Sequence, residues 1–464
     1  MSISSIMNIA KNALFAAQTS MQVTSHNISN VNTKGYARQE AVLDEATPLP
    51  TEIGLLGNGV VASRIIRYYD KYLEKQIMSK NMDLEQQGVY QKYFERIEGI
   101  LNEDNSRLTE NIVDFFNGWQ ELSVDPQSVA VREGIVASGK NLSSSIRNIY
   151  TALKNLQIEL NSGLKEEVSE INGILSSIAS LNGRIFEGGI GGSEANDYID
   201  QRNELLKDLS GKMDVITFED QYGRATVLTS KGKALVDGER SWQLEVVKNE
   251  DTGFWNVAWK DTSGNLTDIT DYINGGKLKG LIQMRDEYAV DFIGDVDDLA
   301  QGLIENVNNI HATGVDLYDG DGIYFFRNIN GDYAKDIDLS DDIKADSKHV
   351  SAFSDPATPT DNDIALSIAA LIDEKIFDGG NSSAVNYTAS LVNKVGQLTK
   401  GAEDMAQYST DTMAILNKQR EEVSGVSIDE EMTSLIKFQY AYQAAARLIN
   451  VADEMFQSIL GIVQ

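Results

Sequence analysis

The residues of this sequence best able to do chemistry are acidic. Between 286 and 380 there are 22 Asp and Glu against 5 Lys and Arg. Asp316, Asp319, Asp321 and Gly322 have the texture of a calcium loop. Such a loop needs acids at alternate positions, a glycine, and a Glu six residues further on. Position 317 is Leu and no such Glu follows, so the stretch reads as a solvated turn. Asp336, Asp338, Asp341 and Asp342 read as charged surface. His26 and His311 each stand beside Asn in a helical stretch, and neither has a second His or a Cys at metal-ligand spacing. With no Cys in 464 residues, thiolate nucleophiles, disulfides and Cys-ligated metals are excluded. No Gly-Xaa-Ser-Xaa-Gly elbow, His-Glu-Xaa-Xaa-His pair or phosphate loop occurs. The reading is of a non-enzyme with no catalytic, metal or cofactor-binding residues.

What the sequence does carry is periodicity. Ile3, Met7, Ala10, Leu14, Ala17, Met21, Thr24, Ile28 and Val31 alternate four and three apart, a heptad stripe. The far end repeats it: Ile428, Met432, Leu435, Gln439, Tyr442, Ala446, Ile449, Asp453, Phe456, Leu460 and Val463. Phe438, Ala445, Ala452 and Ile459 widen the second stripe beyond a two-helix seam. Both ends therefore need apolar cover, from the chain's own core or from other subunits. Of these stripes, Ile3, Met7, Leu14, Met21 and Ile28 with Ile428, Met432, Leu435, Tyr442, Ala446, Ile449, Phe456 and Leu460 are the expected self-assembly residues.

Between the ends, residues 30–36 give a turn signal and 41–66 read as loop and short strand. Leu142, Ile146, Ile149, Leu153, Leu156, Leu160 and Leu164 continue into Val168, Ile171, Leu175, Ile178, Leu181 and Ile185. That predicts a helix of about 66 Å over 142–185, with Gly163 or Gly173 as candidate breaks. Gly188 to Gly192 is a hinge-like interruption, and a short helix follows over roughly 195–210. Val215–Phe218, Ala225–Leu228, Trp242–Val247 and Phe254–Trp259 read as strands, a small β domain holding three of the four Trp. Its aromatic residues are expected to fill a small core. Helix returns at Gly276, and a pair of helical stretches is expected over 386–424.

The nested order predicts three parts: 1–35 with 426–464, 36–211 with 275–425, and 212–274. The expected fold class is mainly α with a β insertion, elongated and multi-domain, with terminal coiled-coil helices, a long helical bundle and a small outer β domain. A net charge of −30 argues against nucleic-acid binding, and no apolar run approaches the ~20 residues of a membrane span. Met1–Ala10 lacks the basic residues of a secretory signal, which implies a cytoplasmic protein or export by another route.

The stretch Asn27-Ile28-Ser29-Asn30-Val31-Asn32-Thr33-Lys34-Gly35-Tyr36-Ala37-Arg38 resembles the signature of bacterial flagellar axial proteins. Its motif residues are Asn27, Asn30, Asn32, Thr33, Gly35, Tyr36 and Arg38; Lys34 stands where many relatives have Pro. Further stretches resemble the hook-associated protein 1 family. These are Gly57–Val60 leading into Ile66-Arg67, Asp70, Leu73 and Gln76, then Phe115–Ser123 with Pro126 and Arg132, and Gly425–Met432 with Gln439–Arg447. Asp200-Gln201-Arg202 and Gly276–Arg285 add to the likeness.

The resemblance implies a structural subunit that joins hook to filament. It implies export, unfolded, by the flagellar type III apparatus without a cleaved signal, an export chaperone on the C-terminal helical region, and an extracellular place in the flagellum. The implied partners are further copies in a short ring, the hook protein, and the next hook-associated protein or the filament. It also implies terminal helices that order on assembly. The alternatives are another axial protein (hook, rod or filament type) and a secreted calcium-dependent adhesin. Flagellin typically lacks the Asn-Thr-Xaa-Gly-Tyr turn, and hook and rod proteins lack Phe-Phe-Asn-Gly-Trp.

Overall fold

A computed structural model describes residues 3–51, 54–189, 193–320, 322–355 and 361–463. The chain divides into two compact units: Met1–Glu85, Glu167–Gly276 and Tyr408–Gln464 form one, and Gln86–Glu166 with Lys277–Gln407 form the other. Ile190, Gly191, Gly192 and Asp321, which figure in the hinge and calcium-loop readings, lie outside the described residues.

The first unit holds both chain ends. The N-terminal helix, Ile3–Ser29, packs along the C-terminal helix, Ile428–Val463. Small residues make the approach close: Ala10, Ala17, Ser20, Thr24 and Asn27 are buried on one helix, Ala445 and Ala452 on the other. The antiparallel strands Gln39–Glu45 and Val60–Arg67 also lie on the N-terminal helix, with a bulge between Val42 and Leu43. Burial from two sides explains why Ala16 and Val23 are covered as well.

The β insertion in this unit is a four-stranded antiparallel sheet (Val215–Glu219, Ala225–Thr229, Ala234–Asp237, Arg240–Ser241) and a three-stranded one (Leu244–Lys248, Trp255–Lys260, Leu266–Asp268). Helical asparagines tether both sheets. The buried Asn182 amide donates to Ala225 O at 2.8 Å and Gly238 O at 2.7 Å, and accepts from Ala225 N at 2.9 Å. Asn172 exchanges the same kind of pair with Leu244, both bonds at 2.8 Å. Each amide satisfies strand groups that a neighbouring strand would otherwise have to reach.

Those asparagines sit on a helix that runs unbroken from Val129 to Gly188. Gly163 and Gly173 do not interrupt it. Each glycine costs about 1 kcal/mol in a helix. Thirteen stripe residues from Leu142 to Ile185 are buried, each offering about 1.5–3 kcal/mol, so burial wins. Likewise Ala384–Ser424 is one helix rather than two stretches.

In the second unit, one apolar core gathers Phe115, Phe116 and Trp119 from helix Leu108–Val124 with Phe325 and Phe326. Ring pairs meet edge-on or tilted, as at Phe115–Phe325 (5.4 Å) and Trp119–Phe325 (5.5 Å). The helix from Gly276 passes through a π turn at Met284–Tyr288 before Ala289–His311. That wider turn carries the buried Arg285, whose Nη1 donates to Asn161 Oδ1 at 2.9 Å and whose carbonyl accepts from Gln157 at 3.0 Å.

Candidate functional site: the junction of the two chain ends

The axial motif folds into a turn. Thr33 N donates to Asn30 O at 2.9 Å, Tyr36 N to Thr33 O at 3.2 Å, and Asn30 Nδ2 reaches back to His26 O at 3.0 Å. Gly35 adopts φ +81, the left-handed region, and a Cβ there would meet Glu204 Oε2 at 3.2 Å. Backbone conformation and space both ask for glycine. Asn32 and Thr33 lie exposed on the turn.

The turn delivers its side chains to the other end of the chain. Asn27, 1% exposed, donates from Nδ2 to Gln39 O (2.8 Å) and Glu431 Oε2 (3.0 Å). Its Oδ1 accepts from Tyr36 OH (2.8 Å) and Gln39 N (3.0 Å), so all four of its hydrogen-bonding capacities are used. Arg38 Nε donates to Glu431 Oε1 at 2.7 Å, and Arg38 N donates to Ser424 O at 2.9 Å. Burial works against the Arg38 charge, but the Glu431 carboxylate outweighs it and raises the guanidinium pKa. Arg420 closes the other side, from Nε to Glu74 at 2.7 Å and from Nη2 to Gly35 O at 2.9 Å.

Helix Ser193–Lys212 braces the turn. Ala37 N donates to Asp200 Oδ2 at 3.1 Å and Gln39 Nε2 to Asp197 Oδ1 at 2.9 Å; Arg67 pairs with Asp200 and Lys34 with Glu204. Burial of the Asp200 carboxyl, opposed only in part by Arg67, pushes it up to about 6. Burial likewise raises the Tyr36 phenol, so it stays a donor at neutral pH. His26 is a bracket: Nδ1 is 3.2 Å from Tyr36 OH and Nε2 3.3 Å from Asp197 Oδ2.

The structure thus brings Asn27 and Arg38 together on Glu431, sets Tyr36 on Asn27, and gives Asn30, Thr33 and Gly35 the turn that places them. Nothing in sequence spacing marked Glu431, Asp200, Arg420 or Glu74 as the partners. Of the N-terminal assembly residues, Ile3, Leu14, Met21 and Ile28 are half-buried and Met7 is exposed. In the C-terminal set, Leu435, Tyr442, Ala446 and Ile449 are half-buried, while Ile428, Met432 and Phe456 are exposed. The side chain of Leu460 lies outside the described residues.

A second stripe escaped the heptad pattern. Ile436, Tyr440, Leu448, Val451 and Met455 are each between 45% and 68% exposed, as are the heptad residues Met432 and Ile459 on either side of them. Spaced by fours and a single three, with Ala444 completing the row, Ile436 to Met455 wind around the flank of the helix away from Glu431, whereas Ile459, two turns beyond Ala452, shares the face of Ala445 and Ala452. The signal was the four-residue step itself, hidden beside the stronger heptad.

The residues that suggested chemistry are otherwise engaged. Asp316 Oδ1 accepts from Tyr318 N (2.8 Å) and Gly320 N (3.0 Å), and Oδ2 meets His349 Nδ1 at 2.7 Å. That is a capped turn whose oxygens face the protein. His311 is fully buried, lowered to about 4 by desolvation, and its Nε2 accepts from Ser351 N at 2.9 Å. Among the described residues, no group of three or more His, Asp and Glu could hold a metal ion.

Comparison with known proteins decides the family. Residues 94–326, just over half of the chain, match the flagellar hook-associated protein FlgK helical domain. The chain belongs to the FlgK family of hook-associated proteins. It is a structural component of the bacterial flagellum at the hook–filament junction. Residues 7–36 match the flagella basal body rod protein family, and 418–462 the C-terminal family of the rod proteins FlgEFG, so the two ends that meet at Glu431 are shared with other axial proteins. The flagellar hook-associated protein 1 of Bacillus subtilis is 27% identical, over 98% of this chain and 97% of its own. That of Escherichia coli is 24% identical, over 99% of this chain and all of its own. The flagellar hook junction protein FlgK from Burkholderia pseudomallei has the same fold, with a TM-score of 0.68 at 15% identity, over 75% of this chain and all of its own. Among the described residues, no helix is long and apolar enough to cross a membrane.

Proposed function

We propose that the chain builds a short ring between hook and filament through its paired terminal helices, with no catalytic step. One observation carries this reading. The C-terminal helix has two apolar faces, and the N-terminal helix covers one of them. The other, from Ile436 to Met455, stays open along the helix. Isolated helices are marginal in water, and an uncovered stripe this long gains its stability from neighbours. Further copies of the chain cover it in the ring. The hook protein meets one side of that ring, and the next hook-associated protein or the filament meets the other.

Before assembly the same stripe needs protection. An export chaperone of apolar-groove type fits the C-terminal helical region, and passage through the flagellar type III apparatus, unfolded and without a cleaved signal, is the route to the flagellum that this reading implies. The parts 1–35 with 426–464, 36–211 with 275–425, and 212–274 are the proposed inner, middle and outer domains, the inner pair reaching full order on assembly.

A photoreactive residue at Tyr440 tests the reading in isolated flagella. The expected product is a crosslink to a second copy. Crosslinks only within one chain would overturn it.

A further inference from the structure

We propose that the second unit holds a small inorganic anion, of the halide class, against the guanidinium of Arg132. The argument begins with an unpaired charge. Arg132 is 0% exposed, and no carboxylate lies within ion-pair distance of it among the described residues. Its Nη2 donates to Pro126 O at 2.6 Å, which spans the turn between helices Leu108–Val124 and Val129–Gly188. Its Nε and Nη1 have no partner among the described residues. Burial lowers the guanidinium to about 10, which still leaves it charged at neutral pH. A buried, uncompensated cation is expensive, and the fold has kept it rather than let solvent reach it.

Among the described residues the neighbourhood adds donors and no free acid. The guanidinium lies 5.5 Å over the Phe353 ring, and two residues earlier Ser351 Oγ is buried without a partner among the described residues. Ser351 N donates to His311 Nε2, and the His311 ring meets Trp119 at 5.8 Å. Trp119 Nε1 is a third buried donor lacking an acceptor among the described residues. Asp316, the acid whose field reaches Arg132, already spends its oxygens on Tyr318 N, Gly320 N and His349.

The chemistry of the unpartnered set separates the two candidate occupants. A buried water needs two to four partners, some of which must accept its hydrogens. Of the unpartnered buried side-chain atoms here, the guanidinium nitrogens and the indole N–H only donate, and the Ser351 hydroxyl is the single one that could also accept. An anion only accepts, and it neutralises Arg132 as well. Chloride, a single-atom acceptor, suits a guanidinium that lies beside the Phe353 ring.

The test uses the full-length protein. Crystals grown in chloride are soaked in sodium bromide and measured at the bromine edge. The expected result is an anomalous peak against the Arg132 guanidinium. In solution, replacing gluconate by chloride at constant ionic strength should raise the melting midpoint of the second unit by about 2–4 °C, saturating with concentration. Trp119→Phe, which removes the indole N–H and keeps one aromatic ring in the core, should weaken that dependence. Bromide at surface sites only, water density without anomalous signal at Arg132, or equal midpoints in the two salts would each overturn the proposal.

Discussion

The Asn27 amide donates to the Glu431 carboxylate at 3.0 Å across 404 residues of chain. With Arg38 on the other carboxylate oxygen at 2.7 Å, Glu431 ties the end of the first helix and the following turn to the start of the last. Its side chain is 3% exposed, against 27% for Arg38. Replacing Glu431 by Ala leaves a buried amide and a half-buried guanidinium without their acceptor, at a cost of about 2–3 kcal/mol. Glu431→Gln keeps an acceptor and should cost less. A double-mutant cycle with Arg38→Ala, read by chemical denaturation, should show coupling of about 1–2 kcal/mol. Additive losses would mean the pair is incidental.

Gly35 offers a backbone test. At φ +81, with Glu204 3.2 Å from an added Cβ, Gly35→Ala should destabilise the first unit by about 1–3 kcal/mol. The melting midpoint should fall accordingly, and a variant as stable as the parent would remove the steric argument.

Asp200 predicts a pH dependence with a definite sign. Its ordinary value is 3.8, and burial raises it to about 6 in the folded chain. The folded state therefore holds this proton more tightly. The stability it contributes is complete below pH ~4 and is lost as pH rises through 6, on the order of 3 kcal/mol for two pKa units. Asp200→Asn lacks this titration. The stability difference, parent minus variant, should shrink steadily from pH 4 to 7. A difference that grows with pH would show that Arg67 holds the carboxyl ionised instead.

Much of this architecture was legible because periodicity survives any tertiary context. The stripe from Leu142 to Ile185 and the alternation around Val215 and Ala225 lie where their spacing indicated. The end of helix Val129–Gly188 fell at the expected glycine run. Propensity was the weaker guide: Gly163 and Gly173 read as breaks, yet burial on both sides held the helix together. The motif from Asn27 to Arg38 marked the site, but its partners were invisible. Glu431 and Asp200 lie in stretches that carried the resemblance and Arg420 in none, but nothing in their spacing linked them to the motif, and only the fold makes them ligands of the turn. The stripe through Ile436, Tyr440 and Leu448 was missed because a helix with two apolar faces yields one dominant heptad.

That second stripe is where the account is most exposed. The most direct measurement is electron microscopy of cells whose only copy carries Ile436→Asp with Leu448→Asp, with immunoblotting of the medium for flagellin. Both side chains are about half exposed, so the purified variant should melt within about 1–2 °C of the parent. The account predicts hooks without filaments and flagellin lost to the medium. Normal filaments on those cells would contradict it, and would mean that the open face of the C-terminal helix is not an assembly surface.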